Sequence, residues 1–142
     1  MNAWYQDFIY LGVFLTLALL VLGFVIWLVA GIIKKRKIKK QIISLSVSAV
    51  LLLVAVLFIG SHSTYYLFND CRILGNHIQE VPKQYGEPDL GRYTNGTSGR
   101  FGYYIYTDNG PIMPDHLDHY YYIEYDENGI VTDVYDGCQP GG

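Results

Sequence analysis

The sequence predicts a two-helix transmembrane hairpin followed by a small α+β domain, with helices packed on one face of a three-stranded antiparallel sheet. Three observations predict it. Residues 8–33 and 42–60 contain no Asp, Glu, Lys, Arg or His, and each run is long enough to cross a bilayer as a helix. Between them Lys34, Lys35, Arg36, Lys37, Lys39 and Lys40 carry six of the ten basic charges. Beyond residue 60 the composition inverts: residues 61–142 hold twelve acids against four bases, a formal charge of −8, with twelve of the fourteen tyrosines.

Residues 1–7 are a short tail with one negative charge, Asp7, which opposes translocation of an N-terminus very little. Trp4, Tyr5 and Tyr10 suit the outer headgroup region. The first span, 26 residues at about 1.5 Å each, exceeds the hydrocarbon thickness and is expected to tilt or project. The second span, of 19 residues, fits without excess. Only eight residues, 34–41, connect them, so the helices should be antiparallel. The positive-inside bias makes this loop cytoplasmic, which predicts a multi-pass protein of the cell membrane with both termini extracytoplasmic. Ser44 and Ser48 stand one turn apart and either admit a close neighbouring helix or bond back to their own backbone. Channels and carriers usually place ionisable groups at membrane depth; their absence from both spans makes the hairpin an anchor. A signal sequence cleaved after Ser63 is the rival reading. Against it, the apolar run is longer than a signal core and a whole span precedes it.

The expected divisions are a hairpin over 1–60, a linker over 61–70 with Tyr65 and Tyr66 at headgroup depth, an extracytoplasmic domain over 71–138 and a tail over 139–142. Ile73, His77, Ile78 and Val81 lie at helical spacing, with Asn69 or Asp70 available as N-cap. Pro82 ends or kinks that helix, or starts a separate short turn through Tyr85. Gly86 and Pro88 close the helical region. Three runs rich in Tyr, Ile and Val, over 101–107, 119–125 and 130–135, read as strands. Asp126, Glu127, Asn128 and Gly129 form the hairpin turn between the last two, with Asn and Gly tolerating positive φ.

Strand parity puts Phe101, Tyr103, Ile105, Tyr121, Ile123 and Tyr125 on a core face. Glu124 and Asp133 mark the other face as solvated, and Tyr104, Tyr106, Tyr120, Tyr122 and Tyr135 fall on it as a candidate binding surface. Packing of those rings on one another is the competing explanation. Cys71 opens the helical region and Cys138 follows the last strand in a compartment that permits oxidation, so a disulfide between them is expected. Closing a loop of about 68 residues contributes on the order of 4 kcal/mol.

Catalytic and cofactor signals are sparse. Residues 115–119 have metal-ligand types, and His116 and His119 could share a helical face or point apart, but no third ligand stands at a known spacing, so the segment reads as a solvated loop. The turn at 126–129 lacks the calcium-loop spacing. The Ser61, His62, Ser63 triplet has no acidic partner in reach by sequence. No phosphate loop or dinucleotide fingerprint occurs, so no cofactor and no enzyme activity is expected. The acidic outer part repels phosphate, which argues against nucleic acid as a partner.

Gly75, Val81, the Tyr85-Gly86-Glu87-Pro88 turn, the aromatic strand around Tyr103 and Tyr104, and the run from Tyr122 through Asp126 and Gly129 to Val131 resemble the SmpA/OmlA (BamE-like) domain. The resemblance covers about residues 71–135. It implies two helices on one face of a three-stranded sheet and a scaffold or binding role without catalysis. Members are often outer-membrane lipoproteins, whereas no lipobox precedes Cys71 here, Pro82 interrupts the second helix and Tyr85 stands where leucine is usual. The fold carries over; the outer-membrane assembly role does not. The resulting expectation is a membrane-anchored scaffold or adaptor that binds a protein outside the bilayer. The alternative is an envelope ligand or glycan sensor whose tyrosines stack on sugar rings. Oligomeric state is left open.

Overall fold

The computed structural model describes residues 3–34, 38–94, 96–110 and 115–138. Lys35, Arg36 and Lys37 of the basic loop, the ring of Trp4 and the tail over 139–142 lie outside the described residues. The chain divides into two compact units, Asp7–Gly60 and, separately, Met1–Gln6 together with Ser61–Gly142.

Two long helices, α1 (Ala3–Ile33) and α2 (Lys39–Ser61), account for the first unit. Both are apolar on all sides, which is how a helix reads when it has no water-facing stripe. Each is long and apolar enough to cross a membrane. They touch antiparallel within the unit: the Tyr10 ring meets Phe58 edge-on at 6.4 Å, and at the other end the Gly31 backbone lies against the Gln41 amide. A Cβ at residue 31 would come within 2.7 Å of Gln41 Nε2, so a larger residue there would displace the end of the Gln41 side chain. Ser48 Oγ donates to the Leu45 carbonyl at 3.0 Å, the self-bonded alternative of the two considered for it.

The second unit holds two short helices, α3 (Asp70–Ile73) and α4 (Glu80–Tyr85), then β1 (Gly99–Thr107), β2 (Asp118–Tyr125) and β3 (Val131–Cys138). The strands form one antiparallel sheet in the order β1-β2-β3. Asp126 sets the β2–β3 turn: its Oδ1 accepts from the Asn128 and Ile130 amides at 2.9 and 2.8 Å. Gly129 takes φ +75 there, while Asn128 does not take positive φ. Those amide bonds, led by the one from Ile130, hold the Asp126 carboxyl below the usual carboxylate range.

The helical region departs from the expected continuous helix. Asn69 caps α3, its Oδ1 accepting from Arg72 N at 3.0 Å, but the helix stops after one turn. Gly75 at φ +75 turns the chain out of it, and residues 75–78 then run along the start of β3. Gly75 N bonds Val131 O, Val131 N bonds Asn76 O and Ile78 N bonds Gly129 O, at 3.0, 3.0 and 2.8 Å. Ladder bonds to the sheet thus replace helical ones, which the apolar spacing alone does not reveal. Pro82 sits in the first turn of α4, where its missing N–H costs nothing.

Ile73, Ile78 and Val81 share one buried cluster with Phe101, Tyr103, Tyr121, Ile123 and Tyr125 of the sheet. Tyr65 and Phe68 belong to it as well. Tyr65 is 1 % exposed and stacks near Tyr106, so the expected headgroup position for this ring is corrected: Tyr65 and Phe68 are core, Tyr66 packs against them and Leu67 is exposed. Phe68 lies flat on Tyr121 with ring centres 4.2 Å apart.

Asp70 is a buried carboxylate at the centre of this joint. Its Oδ1 accepts from the Tyr121 hydroxyl at 2.7 Å, and its Oδ2 from Ser63 Oγ and Thr64 N, both at 2.8 Å. The Ser61, His62, Ser63 triplet therefore does have an acid in reach, but that acid is engaged by Ser63. Gln6 is likewise buried, accepting the Tyr66 amide at 2.8 Å. The expected Cys71–Cys138 disulfide is absent: both thiols are free and exposed. Asp70 and Ile73 are the buried residues of α3, which leaves Cys71 on its outward side, and Cys138 ends an edge strand.

Candidate interaction surface

The sheet face opposite the buried cluster is laid out by register. Arg100, Glu124 and Asp133 form one row; Gly102, Tyr122 and Tyr135 the next; Tyr104, Tyr120 and Gly137 the third. Four of the five tyrosines expected here are therefore brought together.

Tyr106 is the exception, and the reason is a bulge. Pairing passes from Tyr104 opposite Tyr120 directly to Tyr106 opposite His119, so Ile105 is an extra residue and parity changes after it. Tyr106 joins the buried cluster at 9 % exposure, and stacks on His119 with ring centres 4.5 Å apart.

Tyr122 occupies the expected face but is only 3 % exposed. Its ring lies across two glycines of neighbouring strands, since a Cβ added at Gly102 or Gly137 would stand 3.3 Å from it. Tyr135 stacks beside it at 5.4 Å, and the Arg100 guanidinium carbon sits 5.2 Å from its ring centre. Covering strand glycines with an aromatic ring compensates for their missing side chains. Arg100 donates to the Tyr135 hydroxyl at 3.3 Å, and that hydroxyl donates to Glu124 at 2.9 Å. Tyr122 and Tyr135 thus serve the sheet, the packing alternative; Tyr104 at 46 % and the half-buried Tyr120 remain open.

Around the open pair the structure adds residues that parity did not single out. Asp89 Oδ2 accepts the Tyr104 amide at 2.8 Å, and Leu90 pairs with Gly102, so this outer edge of β1 is closed to another strand. The Tyr104 hydroxyl and Thr107 Oγ1 lie 2.9 Å apart, and Thr107 donates to Asp118 at 2.6 Å. Tyr104 and Tyr120 meet edge to face at 5.9 Å. Desolvation first, then Asp118 and Asp89, push the Tyr120 phenol above its usual range.

His119 and His116 do not converge. His119 Nδ1 lies 3.2 Å from Asp136 and Nε2 3.7 Å from Asp115, while His116, at φ +59, faces Asn109 at 3.0 Å. Among the described residues no three His, Cys, Asp or Glu side chains are placed to hold a metal ion together. The sequence offered no way to choose Asp70 from Asn69, or to see Arg100 over Tyr122, because both depend on register. No protein-family model, characterised protein or solved structure matches the chain.

Proposed function

We propose that this chain is a membrane-anchored extracytoplasmic protein-interaction module, a scaffold or adaptor without catalysis. The observation that carries the interaction reading is the aromatic face of the sheet, open at Tyr104 and Tyr120 and acidic at its rim. A part-exposed tyrosine pair at a flat sheet surface is the composition of a contact site. In this reading α1 and α2 are a transmembrane hairpin, with the loop carrying Lys34, Lys39 and Lys40 on the cytoplasmic side. The bond from Tyr66 N to Gln6 Oε1 supports it. A residue just before the first apolar span and one just after the second share a hydrogen bond, as two residues can only when they lie on one side of a bilayer. The SmpA/OmlA-like arrangement, two short helices over one sheet face, is part of the same proposal and is supported by Ile73 and Val81 in the buried cluster.

Photocrosslinking tests it. With p-benzoylphenylalanine at position 104 in native membranes, a discrete protein adduct is expected, and none from position 127 on the exposed turn. Equal adducts from both positions, or none from either, would remove the interaction reading. Topology is read separately in a Cys71→Ser, Cys138→Ser background, which should fold like the parent because neither thiol is paired. There Thr97→Cys should react with an impermeant maleimide in intact cells and Lys37→Cys should not.

A further inference from the structure

The sheet face holds two places where tyrosine rings meet carboxylates, and one of them already contains a cation. Arg100 lies over Tyr122, donates to Tyr135 and neighbours Glu124 in its row. The second place is built from the same groups. Tyr104 and Tyr120 stand edge to face, the Asp89 carboxylate is bonded to the Tyr104 amide, and Asp118 is tied through Thr107 to the Tyr104 hydroxyl. Each carboxylate commits one oxygen to these bonds, leaving the other for a ligand. Neither Asp89 nor Asp118 forms an ion pair with Lys or Arg among the described residues.

We propose that Tyr104, Tyr120, Asp118 and Asp89 form a docking point for an arginine side chain of a protein partner, repeating between chains the ring contact that Arg100 makes with Tyr122 within this one and adding carboxylates to it. A guanidinium is planar, stacks on aromatic faces and donates in a fork to carboxylate oxygens, so it uses both halves of the site at once. Charge favours it too, since residues 61–142 carry a formal −8. A neutral sugar would use the rings but gain nothing from the charge, and an anionic partner would be repelled.

The inference names the chemistry of the partner and so rests on the interaction reading. Full-length protein in nanodiscs, with 13C-labelled tyrosine rings, is titrated with N-acetyl-arginine methylamide, its citrulline counterpart and a neutral trisaccharide. Saturable ring shifts confined to Tyr104 and Tyr120 are expected with the arginine compound alone. Asp118→Asn should weaken that binding about fivefold. Equal shifts from citrulline or the trisaccharide, arginine shifts spread over other tyrosines, or no effect of Asp118→Asn would overturn the proposal. A failed titration alongside a crosslinked protein at position 104 removes only the arginine chemistry; a successful one with no crosslinked protein removes the module instead.

Discussion

The two faces of the sheet carry the same residue type to different ends. On the covered face each tyrosine hydroxyl needs a partner inside the protein: Tyr121 donates to Asp70 at 2.7 Å and Tyr103 to the Gly86 carbonyl at 2.8 Å. On the other face Tyr104 leans on Thr107 at the surface and keeps nearly half its area open. A tyrosine is thus core, glycine cover or open surface ring according to what stands across the strand from it. The hydroxyl separates these roles, because a buried one without an acceptor costs on the order of 1–3 kcal/mol.

The comparison breaks most sharply at Tyr104 and Tyr106, two positions apart on β1. Tyr106→Ala should cost about 3–5 kcal/mol, the usual penalty for emptying an aromatic core site. A thermal melt of the full chain in nanodiscs measures it. A loss below about 1 kcal/mol would mean that the bulge at Ile105 is misplaced and Tyr106 faces outward after all.

That residue also marks where sequence reasoning stops. Three strands, their order and the Asp126 turn are legible because alternation and turn chemistry are local signals. The bulge is not, since an extra residue in a run of Tyr-Tyr-Ile-Tyr leaves the composition of a strand unchanged. The helical spacing of Ile73, His77, Ile78 and Val81 gives no sign that Gly75 turns the chain; its positive φ and the ladder bonds of residues 75–78 show that the chain has left the helix to pair with the sheet. The cysteine pairing failed for a geometric reason, as bracketing a domain in sequence does not aim two thiols at each other. Parity put four of the five candidate tyrosines on the face they occupy, yet it says nothing of how Gly102 and Gly137 let Tyr122 lie down and disappear from solvent.

The next effect tests the joint beneath the covered face. Asp70→Ala orphans the buried Tyr121 hydroxyl and leaves Ser63 and Thr64 to find water, for an expected loss of about 2–3 kcal/mol. Tyr121→Phe removes the hydroxyl and leaves Asp70 two donors, and should cost about 1 kcal/mol. If the two substitutions cost the same, the carboxylate serves Tyr121 alone.

Alkaline pH probes the covered tyrosines without mutation. Burial, then Glu87 and Asp89, push the Tyr103 phenol up to about 12, and burial followed by Asp70 raises Tyr121 further. The folded state therefore holds these protons more tightly than the unfolded chain does. Their stabilising contribution is complete below the ordinary tyrosine value near 10 and is lost as pH rises toward about 12. Melting temperature should be flat across neutral pH, as far as these groups are concerned, and fall over that window. A fall that begins well below pH 10 would point to groups other than the covered tyrosines.

Tyr104→Ala is the smallest expected change and the most informative about function. Its ring is 46 % exposed, its hydroxyl bond to Thr107 is at the surface, and Thr107 keeps Asp118 when the ring is gone. The edge contact with Tyr120 contributes little in so open a place, so stability should move by no more than about 0.5 kcal/mol. Set beside Tyr106→Ala, this is a difference of several kcal/mol between residues of one type on one strand. A natural sequence gains nothing in folding from keeping a large ring at such a site, and an aromatic that contributes little to stability is available for contact. Were Tyr104→Ala to destabilise as much as Tyr106→Ala, the ring would be part of the core, and the proposed contact surface would have lost the residue on which it is built.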